Sequence, residues 1–143
     1  MGFLSRFSVP FTAVTPTMSV IPIDFDLAAT VSESHIHARV RTVELTPEVT
    51  MSFLREVRNL MVDSRKMRVM LEFELAHTLN EARAYDVMTR CFGVMSGARV
   101  AFVNTDTRQH PSLTFCTQVS QEFGEDFGYF TDTGTAAEWL GES

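Results

Sequence analysis

The run Arg99-Val-Ala-Phe-Val103 constrains this chain more than any other stretch. It is short, apolar and bounded by polar residues, with helical periodicity on both sides, which reads as a buried strand of an α/β sheet. The stretch before it carries apolar residues at Ala84, Val87, Met88, Cys91, Phe92, Val94 and Met95, with Arg83, Asp86, Arg90 and Gly93 opposite. Asn80 is its expected cap, and Gly97 suits the left-handed position after it. Upstream, Met67-Arg-Val-Met-Leu-Glu-Phe73 is a second strand candidate. Strand, helix and strand at this spacing require a parallel pair joined by a right-handed crossover.

The rest of the chain fits the same class. Ile21, Ile23, Phe25 and Leu27 alternate with Pro22, Asp24 and Asp26, and Ile36, Ala38 and Val40 alternate with His37, Arg39 and Arg41. With Ser32-Glu-Ser34 as the turn, residues 20–43 are expected to form an antiparallel hairpin with one face in water. Thr46-Pro47-Glu48 is a helix start, with a hydroxyl cap, a proline in the first turn and an early acid. Val49, Phe53, Val57, Leu60 and Met61 form the stripe that follows.

A third helix is expected from His110-Pro111 to Gly124, with Phe115, Cys116, Val119 and Phe123 facing inward. Tyr129-Phe130 reads as a very short strand, and Thr135-Ala-Ala-Glu138 as the capping box of a terminal helix. Residues 1–17 have no clean period and are expected to be a loosely ordered arm whose Phe3, Leu4, Phe7 and Phe11 can dock on a neighbour. Residues 18–143 form a single domain, a length that suffices for one core. The expected fold is α/β: a mixed four- to five-stranded sheet with about four helices.

A formal net charge of −6 disfavours a nucleic-acid partner, which needs a concentrated basic surface. No apolar run approaches the ~18 residues of a membrane span, so no integral membrane contact is expected. The start lacks the apolar core of a signal peptide. Cys91 and Cys116 fall in apolar helical patterns, as core thiols of a cytoplasmic protein do.

In its order of elements and its closing residues the chain resembles the SpoIIAA-like proteins of the STAS-type superfamily, including the small bacterial STAS/SEC14-like domains. The strand Arg99–Val103 and the tail carry the resemblance. In the tail, Phe130, Asp132, Ala136, Trp139 and Leu140 fit the group's F-x-D-x-x-x-A-x-x-W-L close. The resemblance implies regulatory or ligand-binding roles rather than one shared reaction. Anti-sigma-factor antagonists of that superfamily are switched by phosphorylation in an Asp-Ser-Ser-Gly-type motif after the corresponding strand. Here that segment reads Glu74-Leu-Ala-His-Thr-Leu-Asn80, so Thr78 is the only hydroxyl a phospho-switch there can use.

Candidate chemistry is sparse. His35 and His37 share a strand face and can ligate a metal only with further ligands such as His77, His110, Asp24 or Asp26; exposed histidines are the simpler reading. Asp24 and Asp26 share a strand face and can act as paired carboxylates, but a strand's outer surface offers no desolvated pocket for that chemistry, and a solvated edge is the simpler reading. No nucleophile elbow occurs, and Gly124-Glu-Asp-Phe-Gly128 reads as a turn rather than a phosphate loop. No cofactor or catalytic residue is assigned. The eight methionines suggest an adaptable apolar pocket formed by Met61, Met70, Met88, Phe92 and Met95, with ordinary core filling as the simpler account. The expected role is a non-enzymatic regulatory or protein-interaction domain, self-associating or binding a protein partner. The alternative is a carrier or sensor of a small apolar or acyl ligand.

Overall fold

The computed structural model describes residues 3–8, 25–77, 79–104 and 110–142. The elements run β1 (Phe3–Ser8), β2 (Asp26–Val31), β3 (Ile36–Thr42), α1 (Pro47–Ser64), β4 (Arg68–Leu75), α2 (Glu81–Met95), β5 (Arg99–Val103), α3 (His110–Glu122), β6 (Asp126–Phe130) and α4 (Thr133–Leu140). The fold is α/β, as expected. Strands β2 to β6 form the mixed sheet, and β1 adds a sixth strand that pairs antiparallel with β2, from Phe3 opposite Val31 to Ser8 opposite Asp26.

Within residues 1–17, expected to be a loosely ordered arm, Phe3–Ser8 is a strand. An open β2 edge offers a row of backbone donors and acceptors, and a six-residue strand can satisfy them without a strong side-chain pattern of its own. The expected hairpin is present as β2 and β3, with Asp26 opposite Arg41 and Val31 opposite Ile36. Its expected first residues, Val20 to Asp24, lie outside the described residues.

Sheet order equals chain order, β1-β2-β3-β4-β5-β6, and β3 to β6 are mutually parallel. Right-handed crossovers taken in one direction put their helices on one face. There α1, α2 and α3 cover Leu27, Ala29, Ile36, Ala38, Val40, Val69, Leu71, Phe73, Val100, Phe102 and Phe127. Aromatic rings run through this layer. Phe53 meets Phe73 edge-on at 5.9 Å, Phe73 stacks on Phe102 at 6.3 Å, Phe102 meets Phe127 at 5.4 Å, and Phe127 meets Phe92 at 5.8 Å.

Local chemistry accounts for the helix ends. The Thr46 hydroxyl accepts from the Val49 N–H at 3.2 Å, and Pro47 follows it. The Asn80 side chain accepts from the Arg83 N–H at 2.7 Å. Gly97 takes φ +88° after α2, and Gly124 takes φ +84° after α3.

One buried group in α1 lacks a partner: the Thr50 hydroxyl, fully buried, makes no hydrogen bond among the described residues. Thr50→Val keeps the shape and removes an unsatisfied group, so chemical denaturation should show about 1 kcal/mol of added stability. A loss of stability would mean that the hydroxyl is satisfied.

Elements α3 and β6 differ from the sequence reading. The buried face of α3 is Leu113, Cys116, Thr117 and Ser120, while Phe115 and Phe123 are exposed. The two hydroxyls bury without penalty because each donates back to its own helix: Thr117 to the Leu113 carbonyl at 3.0 Å and Ser120 to the Thr117 carbonyl at 2.7 Å. Strand β6 begins at Asp126, three residues earlier than expected. Gly128 belongs to that strand, opposite Ala101, and a Cβ there would stand 3.0 Å from the Phe130 ring and 3.3 Å from the Trp139 indole.

The opposite face of the sheet carries one helix. There α4 covers β4 to β6, burying Ala136 and Leu140 against Met70, Ala101 and Val103, with Phe130 and Trp139 partly buried at the rim. It starts at Thr133, with Asp132 rather than Thr135 as its cap. The Asp132 carboxylate accepts from the Thr135 N–H at 2.7 Å and the Thr135 hydroxyl at 3.0 Å. Those bonds, the backbone one foremost, hold its pKa below the ordinary aspartate value.

Arginines secure the far end of α4. Arg68 donates to the Leu140 carbonyl, and Arg99 donates to the Trp139 carbonyl at 2.8 Å. The Arg99 Nη1 also donates to both Asp126 carboxylate oxygens, at 2.8 and 3.0 Å, and the guanidinium lies 3.8 Å over the Trp139 ring. Cations placed on the last carbonyls of a helix also complement its dipole. Among the described residues, no helix is long and apolar enough to cross a membrane.

Candidate functional site

Because α4 shields only β4 to β6, the β2–β3 half of that face is left to polar side chains. The alternation of β3 sends Ile36, Ala38, Val40 and Thr42 into the core and His37, Arg39 and Arg41 outward. The outward groups meet carboxylates of β4. The His37 Nε2 donates to Glu72 at 2.8 Å, and Arg39 and Arg41 both donate to Glu74, at 3.2 and 2.9 Å. The Arg41 hydrogen bond is the main reason that the Glu74 pKa lies below the ordinary glutamate value. Glu74 is therefore ionised near neutral pH and is no proton donor there.

At the end of this ladder the sheet stops and a cleft of about 480 Å³ opens. It lies at the carboxyl ends of β3 and β4 and beside Asn104, the residue after β5; β2, running the other way, contributes its start. Open α/β sheets bind ligands outside the carboxyl ends of their strands, where the chain leaves the sheet and the helices have yet to close over it. Phe25, Val43, Phe73 and Leu75 supply apolar wall, and Asp26, Arg41, Thr42, Glu74 and Asn104 supply polar groups. Such a volume and mixture fit a small amphipathic molecule. The floor is held firmly: the Ala76 N–H donates to the Thr42 carbonyl at 3.2 Å, and the Tyr129 hydroxyl donates to the Asn104 carbonyl at 3.1 Å.

Of the candidate site residues singled out by sequence, Asp26 lines the cleft and the others that the structure describes fall elsewhere. Met61, Met88 and Met95 are buried on the three-helix side and Phe92 is partly buried there, whereas Met70 is buried beneath α4. The sheet lies between them, so these five side chains do not line one pocket. Within the run Val69-Met70-Leu71 both faces are apolar, and alternation sends Met70 opposite to its neighbours. Thr78 and Asp24 lie outside the described residues. His35 precedes β3 in the turn, where its Nδ1 is 2.8 Å from the Ser34 hydroxyl; burial first, then the neighbouring His37, lowers its pKa. No group of three or more His, Cys, Asp or Glu side chains is placed to hold a metal among the described residues.

Cys91 and Cys116 are free and buried, and burial pushes both thiols above their ordinary pKa. Of the tail residues, Ala136 and Leu140 are core, the Phe130 and Trp139 rings meet at a tilt with centroids 5.3 Å apart, and Asp132 is the cap.

Sequence reasoning missed the cleft. The available signal was positional: Glu74-Leu-Ala76 and Asn104 directly follow or end parallel strands, which is where such sheets present their ligand-binding groups.

Fold and cleft together define an α/β protein with a mixed sheet and a cavity at its carboxyl edge. Comparison with family models, with curated proteins and with solved structures finds no match to this chain.

Proposed function

We propose that this chain is a non-enzymatic binding domain that holds a small apolar or acyl molecule in the carboxyl-edge cleft. The observation that carries this reading is the cleft itself, about 480 Å³ with apolar walls and a polar mouth. The apolar body of the ligand packs on Phe25, Phe73 and Leu75, and its hydrogen-bonding end faces Arg41 and Glu74. A carboxylate shared by two arginines is built to hold charge in place rather than to pass protons, which supports binding over acid–base catalysis.

Kinship with the SpoIIAA-like group is part of the proposal, supported by the mixed sheet with its flanking helices and by the tail from Phe130 to Leu140. In that setting ligand occupancy is a signal, read by a protein partner or a second copy of the chain. A cytoplasmic location follows the same reading, supported by two free, buried cysteines.

Ala76 is exposed at the cleft wall, so Ala76→Trp fills the cavity without entering the core. Native mass spectrometry of protein purified without denaturation should show a copurified small molecule on the wild type and none on Ala76→Trp, with both folded. A bare wild-type mass, or the same adduct on both proteins, would reject the carrier reading.

A further inference from the structure

A second cavity lies between the first halves of α2 and α3. It measures about 440 Å³ and is lined by Glu81, Ala82, Tyr85, Phe115 and Cys116. Helical spacing places Glu81 and Tyr85 one turn apart on α2. Tyr85 and Phe115 are each 58% exposed, whereas Phe25, Phe53, Phe73, Phe102 and Phe127 are buried. Phe123 is also exposed, at 73%, but only Tyr85 and Phe115 place open rings together along this groove.

Charge supplies the second observation. Glu81 makes no ion pair among the described residues, and the nearby Arg83 faces Glu44 instead, at 4.0 Å. The negative charge of Glu81 is felt at the floor of the groove, where it adds to burial in raising the Cys116 pKa. The N-terminal end of α2 is met by the Asn80 cap, whose side chain accepts from the Arg83 N–H. What the groove presents outward is two exposed aromatic rings and one carboxylate. That combination attracts a cation with an apolar coat and discriminates against an anion.

We propose that the Glu81–Tyr85–Phe115 groove binds a small, free organic cation of the alkylated-ammonium class. Its alkyl groups rest on Tyr85 and Phe115 and its charge faces Glu81. This site is separate from the carboxyl-edge cleft and does not depend on that cleft having a ligand.

The test uses the full chain, followed by NMR shifts of the Tyr85 and Phe115 rings. Choline, its uncharged isostere 3,3-dimethylbutan-1-ol and Nα-acetyl-lysine amide are titrated in parallel. Choline should bind at these rings about tenfold more tightly than the isostere. Glu81→Gln should weaken choline about fivefold or more, Tyr85→Ala should abolish the effect, and Ala76→Trp should leave it unchanged. Equal binding of the isostere would show an apolar groove without charge selection and overturn the proposal. Preference for the lysine amide would assign the groove to a protein-borne cation, and absence of ring shifts would remove the site altogether; either result also overturns it.

Discussion

Phe102→Ala should lower the free energy of unfolding by about 3–5 kcal/mol, the range for truncating a fully buried phenylalanine. Phe102 is 1% exposed and sits in the middle of the aromatic row, stacked on Phe73 with 15° between planes and edge-on to Phe127 at 70°. Removing it opens a void that neither neighbour can fill, because each is held on its other side, Phe73 by Phe53 and Phe127 by Phe92. Against a usual domain stability of about 5–15 kcal/mol, that loss is a large fraction of the whole. Urea titration measures it directly. A change below about 1 kcal/mol would mean that the layer collapses freely and the row is not close-packed.

Arg99→Ala should cost about 2–3 kcal/mol, by a different route. The side chain is 19% exposed and serves three partners at once: the Trp139 carbonyl, the Asp126 carboxylate and the Trp139 ring. Alanine leaves the end of α4 short of a donor and uncovers the indole. Trp139 is the only tryptophan, so its emission should shift to the red in the native state of the variant. Arg99→Lys should recover little, since one ammonium cannot reach the Trp139 carbonyl and Asp126 together while lying flat on the ring. Unchanged emission together with unchanged stability would show that α4 is held by Ala136 and Leu140 alone.

What was legible in the sequence was what local chemistry decides. Thr46-Pro47, Asn80 and Gly97 mark their helix ends because caps are made by the residues beside them. The strand Arg99–Val103 was legible because burial on both faces leaves a continuous apolar run.

The misreadings share a cause, which is that two local choices were nearly equal and distant packing decided between them. Asp132 and Thr135 are both good caps, and the helix takes the earlier one. Phe115 and Phe123 lost the inward face of α3 to Thr117 and Ser120, whose hydroxyls satisfy themselves. Gly128 read as a turn because the rings that demand its missing Cβ come from Phe130 and Trp139. The five methionine and phenylalanine positions looked like one pocket because a list of apolar residues does not say on which side of a sheet each falls. The cleft was least legible of all, since its walls come from β2, β3, β4 and the residue after β5, which meet only once the sheet exists.

The sheet order bears on how such a chain reaches its native state. Every strand pairs with the one before it in the chain, so each pairing closes one antiparallel connection or one crossover unit. The entropy of loop closure rises with the length enclosed, and topologies of near neighbours fold faster than those that wait for remote partners. Emerging from a ribosome, this chain meets its partners in the order in which they are made. Only α4 turns back, and its docking on β4 and β5 closes a sheet whose other pairings need nothing synthesised later.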